Sequence, residues 1–236
     1  MSDHLFFVHI MKTGGTSLLF NLIEHFGAGE VYPDPAVDTD KMTAYSDVAY
    51  MLNVPESRRR RFRAYSGHFP YVATKLLPGP FVTLTVLRDP VDRTVSYLKQ
   101  CRGLEQFHDC SLEQIYDDAW QFLLAMHNYQ ARVFSLTADD VPLSVMNAIE
   151  VDDGRLALAQ ANLAEIDELG LLERYGEFAA GVSERFGWPS KPWTQRRVGG
   201  DGDASRALRR RIVADNAADI EFYEYARDLY EHRRSV

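Results

Sequence analysis

The stretch Leu5-Phe-Phe-Val-His-Ile-Met-Lys-Thr-Gly-Gly-Thr-Ser17, continued by Leu18-Leu-Phe-Asn-Leu-Ile-Glu-His-Phe26, decides how this chain is read. Leu5 to Ile10 is a short, nearly continuous apolar run rich in aromatic and β-branched residues, which suits a strand buried on both faces of a parallel sheet. After a turn over Met11 to Gly15, residues Leu18, Leu19, Leu22, Ile23 and Phe26 recur at helical spacing, predicting a helix over Thr16 to Phe26. Strand, glycine-containing turn and helix in that order open a nucleotide-binding α/β unit. Gly14 and Gly15 let the backbone turn tightly and bring N–H groups close to an anion, and the helix start adds its partial positive charge. Lys12 supplies a full charge, and Thr16 and Ser17 supply hydroxyl donors. The Walker A pattern places its lysine after the glycines, whereas Lys12 precedes them, so an ATP P-loop fits badly. An ordinary tight turn with a helix cap is the competing reading.

A second unit of the same kind follows. Phe81-Val-Thr-Leu-Thr-Val-Leu87 is the clearest strand, β-branched and uncharged. It runs into Arg88-Asp-Pro90, where Asp89 suits an N-cap and Pro90 a first helical residue. Arg88 leaves the carboxyl end of that strand, the edge at which open parallel sheets bind ligands, and Ser96 falls about two turns into the helix. Both can meet one phosphate; otherwise they are a solvated arginine and a solvated serine. Elsewhere, Arg63 to Ser66 and Glu165 to Leu171 read as short strands. Ala44 to Asn53, Leu112 to Phe134, Arg155 to Leu163 and Tyr175 to Phe186 read as helical. Ala204 to Arg234 reads as a polar helical tail, and Tyr32 to Asp40 and Ser190 to Asp203 as loops. The alternation predicts one α/β domain over residues 1–236, with a mostly parallel central sheet flanked by helices.

The 236 residues carry 26 Lys+Arg against 34 Asp+Glu, a net charge of −8. That excess of acid argues against a surface devoted to nucleic acid or an anionic membrane, and leaves room for a local cationic pocket. No apolar run approaches the ~20 residues of a membrane span, and the first residues lack the pattern of a signal peptide. Two cysteines, Cys101 and Cys110, fit free thiols in a reducing compartment, so a cytoplasmic location is expected. With His108 they fall short of a zinc ligand set, and no metal is expected.

Taken together, Phe7-Val-His-Ile-Met-Lys-Thr-Gly-Gly-Thr-Ser17 and Leu87-Arg-Asp-Pro-Val-Asp-Arg-Thr-Val-Ser96 resemble the two phosphate motifs of sulfotransferases that use 3′-phosphoadenosine 5′-phosphosulfate (PAPS). The similarity is to the branch holding the heparan sulfate 2-O- and 6-O-sulfotransferases and their bacterial relatives. It continues through Tyr65-Ser-Gly-His68-Phe-Pro-Tyr, His127-Asn-Tyr-Gln-Ala-Arg132 and Gly170-Leu-Leu-Glu-Arg-Tyr175. Met11 departs from it, standing where the family usually has proline, which bears on the stiffness of the loop.

The resemblance implies a P-loop-NTPase-like sulfotransferase fold and a sulfuryl transfer from PAPS to an acceptor hydroxyl of a carbohydrate, glycolipid or small alcohol, leaving PAP. It implies that Lys12, with Thr13, Gly14, Gly15, Thr16 and Ser17, holds the 5′-phosphosulfate, that Arg88 and Ser96 bind the 3′-phosphate, and that His68 is the general base. Arg196 and Arg197 lie in the late loop that the family closes over the nucleotide; a solvated loop is the other reading. His9 reads as a packed residue beside the loop. Asn128, Gln130 and Arg132 read either as ligand contacts or as ties to neighbouring loops. The basic run Arg58 to Arg63 is either a rim that attracts an anion or the charged end of a helix. Tyr45, Tyr50, Trp120 and Trp193 either line a sugar or lipid site or pack in the core. The rival functions are a small-molecule or nucleotide kinase and a non-catalytic module that binds PAP or a sulfated ligand.

Overall fold

A computed structural model describes residues 4–140, 142–188 and 204–235. The apolar runs form strands β1 (Leu5–Val8), β2 (Val31–Tyr32), β3 (Ala64–Tyr65), β4 (Val82–Leu87) and β5 (Glu168–Leu171). The longer helices are α1 (Gly15–Phe26), α2 (Pro90–Arg102), α3 (Tyr129–Ser135), α4 (Asp153–Ala164), α5 (Tyr175–Phe186), α6 (Arg206–Asp215) and α7 (Ala217–Ser235). The strands make one sheet in the order β2-β3-β1-β4-β5, and every pairing is parallel. The expected single α/β domain with flanking helices is therefore present, and its sheet is wholly parallel.

Alternation along the strands sorts side chains between two layers. Leu5 and Phe7 of β1 and Leu84 and Val86 of β4 face α1 and α5, packing with Leu18, Leu22, Phe178 and Val182. Phe6 and Val8 of β1, with Leu169 and Leu171 of β5, face α3, α4 and α7. All four residues of β1 are fully buried, which explains why its sequence shows no polar alternation. Helix α2 packs off the sheet against α6 and the short helix Leu112–Tyr116. It starts as read: the Asp89 carboxylate accepts the Asp92 N–H at 2.9 Å, and Pro90 stands in the first turn. Among the described residues no helix is long and apolar enough to cross a membrane.

Several segments differ from their sequence readings: β2 takes Tyr32 from a stretch that reads as loop, and the helix expected over Ala44 to Asn53 is interrupted at Asp47, which bridges to Ser144 and caps Val48–Leu52. The helix expected over Leu112 to Phe134 is broken into pieces, with a π-helical turn over Phe122–Met126 and Asn128 in left-handed conformation at φ 44°. The cause is a pair of buried guanidiniums from outside that turn. Arg93 donates to the carbonyls of Ala125 (2.8 Å) and Met126 (3.3 Å), and Arg132 to those of Leu123 and Leu124. These carbonyls are capped by side chains, so the helix stops there. The tail expected as one helix is two, because Asn216 leaves the helical path. Its side chain accepts the Asn128 N–H at 2.8 Å, and Asn128 in turn accepts the Asp219 N–H at 3.1 Å.

The Phe6 ring stacks on Tyr65 (5.8 Å) and meets Phe69 and Phe81 edge-on. We expect Phe6→Ala to cost about 3–5 kcal/mol, measured by urea unfolding. Val37, which is 55% exposed, is expected to tolerate the change to alanine within about 0.5 kcal/mol.

Candidate functional site

In the order β3-β1-β4, the chain leaves β1 toward β2 on one side and leaves β4 toward β5 on the other. Such a divergence opens a crevice at the carboxyl ends of the strands. Here it is a cleft of about 720 Å³, and its walls include Lys12, Gly14 to Ser17, His68, Arg88 and Ser96. Segments far apart in sequence thus meet at one sheet edge.

The loop after β1 is tightly specified. Gly14 has φ 87°, a conformation that favours glycine. Gly15 is required for another reason: a Cβ there would stand 1.9 Å from Nε2 of His9. Lys12 itself holds φ 72°, uncommon for a residue with a side chain, and its carbonyl accepts from Arg88 Nη1 at 3.3 Å. The two phosphate-type motifs are therefore tied directly. Lys12 Nζ donates to Gln100 Oε1 of α2 at 2.8 Å. Burial, and then the neighbouring Arg88, lower the ammonium's pKa from its ordinary value.

Thr13 departs from its expected role. Its side chain is buried and donates to the Ile10 carbonyl at 2.9 Å, so it braces the turn and does not face the cleft. Thr16 is exposed at the cleft, whereas Ser17 is nearly buried and shares a hydrogen bond with Tyr175 of α5. Arg196 and Arg197 lie outside the described residues, as does Trp193.

Gln130 clamps the end of β4: its Oε1 accepts the Arg88 N–H (3.1 Å), and its Nε2 donates to the Arg88 carbonyl (2.8 Å). Asp219 accepts the N–H groups of Gln130 (3.2 Å) and Ala131 (2.8 Å), which holds α3 in place. Asn128, Gln130 and Arg132 are thus ties that position Arg88 and the segments behind it.

His68 sits across the cleft. Its N–H donates to the Tyr45 carbonyl at 2.6 Å, and ring atom Nδ1 lies 3.0 Å from the His9 carbonyl oxygen. A carbonyl only accepts, so Nδ1 carries the proton, and Nε2 keeps a lone pair. Burial lowers the pKa of His68, against the opposing effect of the bond to the His9 carbonyl. The His9 ring stacks on Phe7 and lies 4.2 Å from the His68 ring; burial, then the nearby His68, hold its pKa well below the ordinary value. The result is a neutral imidazole in the same cleft as the Lys12 ammonium and the Arg88 guanidinium.

Sequence reading missed part of the wall. Asp92, Lys99 and Gln100 share the Ser96 face of α2, and their helical spacing was the available signal. Arg209 of α6 reaches the same cleft and pairs with Asp92 at 2.9 Å. Glu173 accepts the Asp89 N–H (3.1 Å) and the Tyr223 hydroxyl (2.8 Å). Only the fold brings Arg209 and Glu173 to this place.

The basic run is not a rim of this cleft. It precedes β3 and so lies toward the opposite, amino-terminal end of the strands. Arg58 pairs with Asp38, Arg60 with Glu56, Arg59 donates to the Leu52 carbonyl, and Arg63 lies over the Phe26 ring. Trp120, 69% exposed, is not a core residue. Cys101 and Cys110 are both free thiols.

No known family model matches the chain, and no curated protein matches its sequence.

A histidine whose folded pKa is depressed takes up its proton more readily in the unfolded chain. Stability must therefore fall as pH drops below about 6.5, where the unfolded state binds more protons. We expect the unfolding free energy to decline between about pH 7.5 and 5.5, and the decline to be shallower in His9→Phe, measured by urea titration at each pH.

Proposed function

We propose that this protein is a PAPS-dependent sulfotransferase of the P-loop-like fold, acting on an acceptor hydroxyl. The observation that carries the reading is the meeting, at one cleft, of the Lys12 to Ser17 turn, the Arg88 and Ser96 pair, and a neutral His68 with an available Nε2 lone pair. The donor PAPS is a substrate with two separated anionic ends, and the cleft has two cationic centres to receive them. The turn fits the phosphosulfate: at Gly14 and Gly15 the backbone itself is presented, because side chains there are excluded by φ or by collision. Arg88 and Ser96 stand for the 3′-phosphate, which separates PAPS from ATP.

In this reaction the acceptor oxygen forms a bond to sulfur as the bond from sulfur to the bridging oxygen breaks. The departing electron pair stays on the 5′-phosphate of PAP, and the acceptor proton goes to Nε2 of His68. His68 is suited to that task near neutral pH because burial keeps it uncharged. Lys12 offsets the charge that grows on the leaving phosphate, and the fixed turn supplies preorganised N–H donors. The reading differs from a kinase in its lysine, which stands before the glycines.

The test is transfer of labelled sulfate from PAPS to a panel of glycans, glycolipids and small alcohols. We expect His68→Ala to lose roughly 10²–10⁴-fold in kcat while retaining donor binding. Lys12→Ala is expected to weaken both turnover and donor binding. Undiminished transfer by His68→Ala would remove its role as base, and transfer of phosphate from ATP in place of sulfate would establish the kinase reading.

A further inference from the structure

His9 stands inside the Phe7 to Ser17 motif and lines the cleft beside His68, with most of its ring buried. Its imidazole occupies the space that Gly15 leaves, with Nε2 1.9 Å from where a Cβ would stand. One flat face stacks on Phe7 at 4.9 Å and 19°, and the His68 ring lies 4.2 Å away at 33°. A ring hydrogen bond to the Ser66 backbone fixes the imidazole in its plane, and the His9 carbonyl accepts from His68 Nδ1 at 3.0 Å. His9 therefore meets His68 twice, through its ring and through its backbone.

The geometry points to His9 as a positioning residue for His68: its ring, seated over Gly15, is the wall that holds the His68 imidazole with Nδ1 on the His9 carbonyl and Nε2 directed to the cleft. The inference rests on the proposed role of His68 as base. It extends that role by making the anion-binding turn and the base one packed unit. The glycine at position 15 then has a purpose beyond the turn, because any side chain there displaces the ring on which His68 rests.

The other titratable and charged groups that share the cleft with His68 are Lys12 in the loop after β1, Arg88 at the end of β4, Asp92 and Lys99 of α2, Glu173 after β5 and Arg209 of α6, with Tyr45 on the segment whose carbonyl takes the His68 N–H. Each is untouched by substitution at His9. Without the His9 ring, water enters the space beside His68, and the burial that disfavours its charged form is relieved. A mobile base also misses the near-attack geometry.

The experiment compares wild type with His9→Ala and His9→Phe, the second keeping a flat ring of similar size. The His68 titration is followed by ¹⁵N NMR in the intact protein without donor, and kcat, donor KM and the acid limb of kcat/KM are followed by sulfate transfer. For His9→Ala we expect His68 to titrate at higher pH, toward about 6.5. The acid limb should move with it, and kcat should fall on the order of 10- to 100-fold at little-changed donor KM. His9→Phe is expected to restore both. If His9→Ala does not fold, His9→Leu, with volume but no planar face, replaces it. An unshifted His68 in the small-residue variant, or a His9→Phe variant as impaired as His9→Ala, overturns the inference. The titration needs neither donor nor turnover, so it decides the role of His9 even where the sulfotransferase reading fails.

Discussion

The space over Gly15 is the constraint on which the rest depends. A hydrogen at that Cα admits the His9 imidazole, and the ring joins the Lys12 to Ser17 turn to His68. Because Gly14 has φ 87° and Lys12 φ 72°, the turn presents backbone and one ammonium to the cleft, while the Thr13 side chain braces it from beneath. The energetic logic is local strain held by contacts made elsewhere: the unfavourable backbone at Lys12 is fixed by Arg88, and Arg88 is fixed by Gln130.

That chain of support runs deep. Gln130 is held by Asp219, Asp219 is set by the break at Asn216, and Asn216 is bonded to Asn128. Arg93 and Arg132 lie in the same region, both over the Tyr129 ring, at 5.0 and 5.4 Å. Burial lowers the pKa of each, that of Arg132 to about 10, and it raises that of Asp219 against the pull of the nearby Arg93. Two guanidiniums and the Asp219 carboxylate thus form a buried cluster behind the end of β4, in a chain that as a whole carries −8. Net charge describes the chain as a whole, whereas the cleft wall gathers Lys12, Arg88, Lys99 and Arg209 with Asp92 and Glu173.

Strands β1, β3, β4 and β5 and the two strand-turn-helix units were legible because each is local, and Leu5 to Phe26 and Phe81 to Arg102 carry their own periodicity, caps and breakers; β2, two residues at the edge of a stretch that reads as loop, was not. The cleft was legible in outline for the same reason, since a ligand edge follows from parallel strands. What was not legible depends on distant partners. No feature between Leu112 and Phe134 announces a π-helical turn, because the arginine caps include Arg93 on another helix. Arg209 gave no sign of reaching Asp92, and Thr13 could not be told from Thr16 until the turn's direction was known. The basic run Arg58 to Arg63 stood out by composition, yet its position before β3 carries it away from the cleft.

The central claim is that this cleft is built for a nucleotide with a 3′-phosphate and a charged 5′ end. Calorimetric binding of PAP and of 5′-AMP to the intact protein tests it most directly, since the two differ only in the group assigned to Arg88 and Ser96. Two or more charge-assisted hydrogen bonds at that group predict that PAP binds at one site on the order of 100-fold more tightly than 5′-AMP. Equal affinities, or no binding of PAP, would contradict the account.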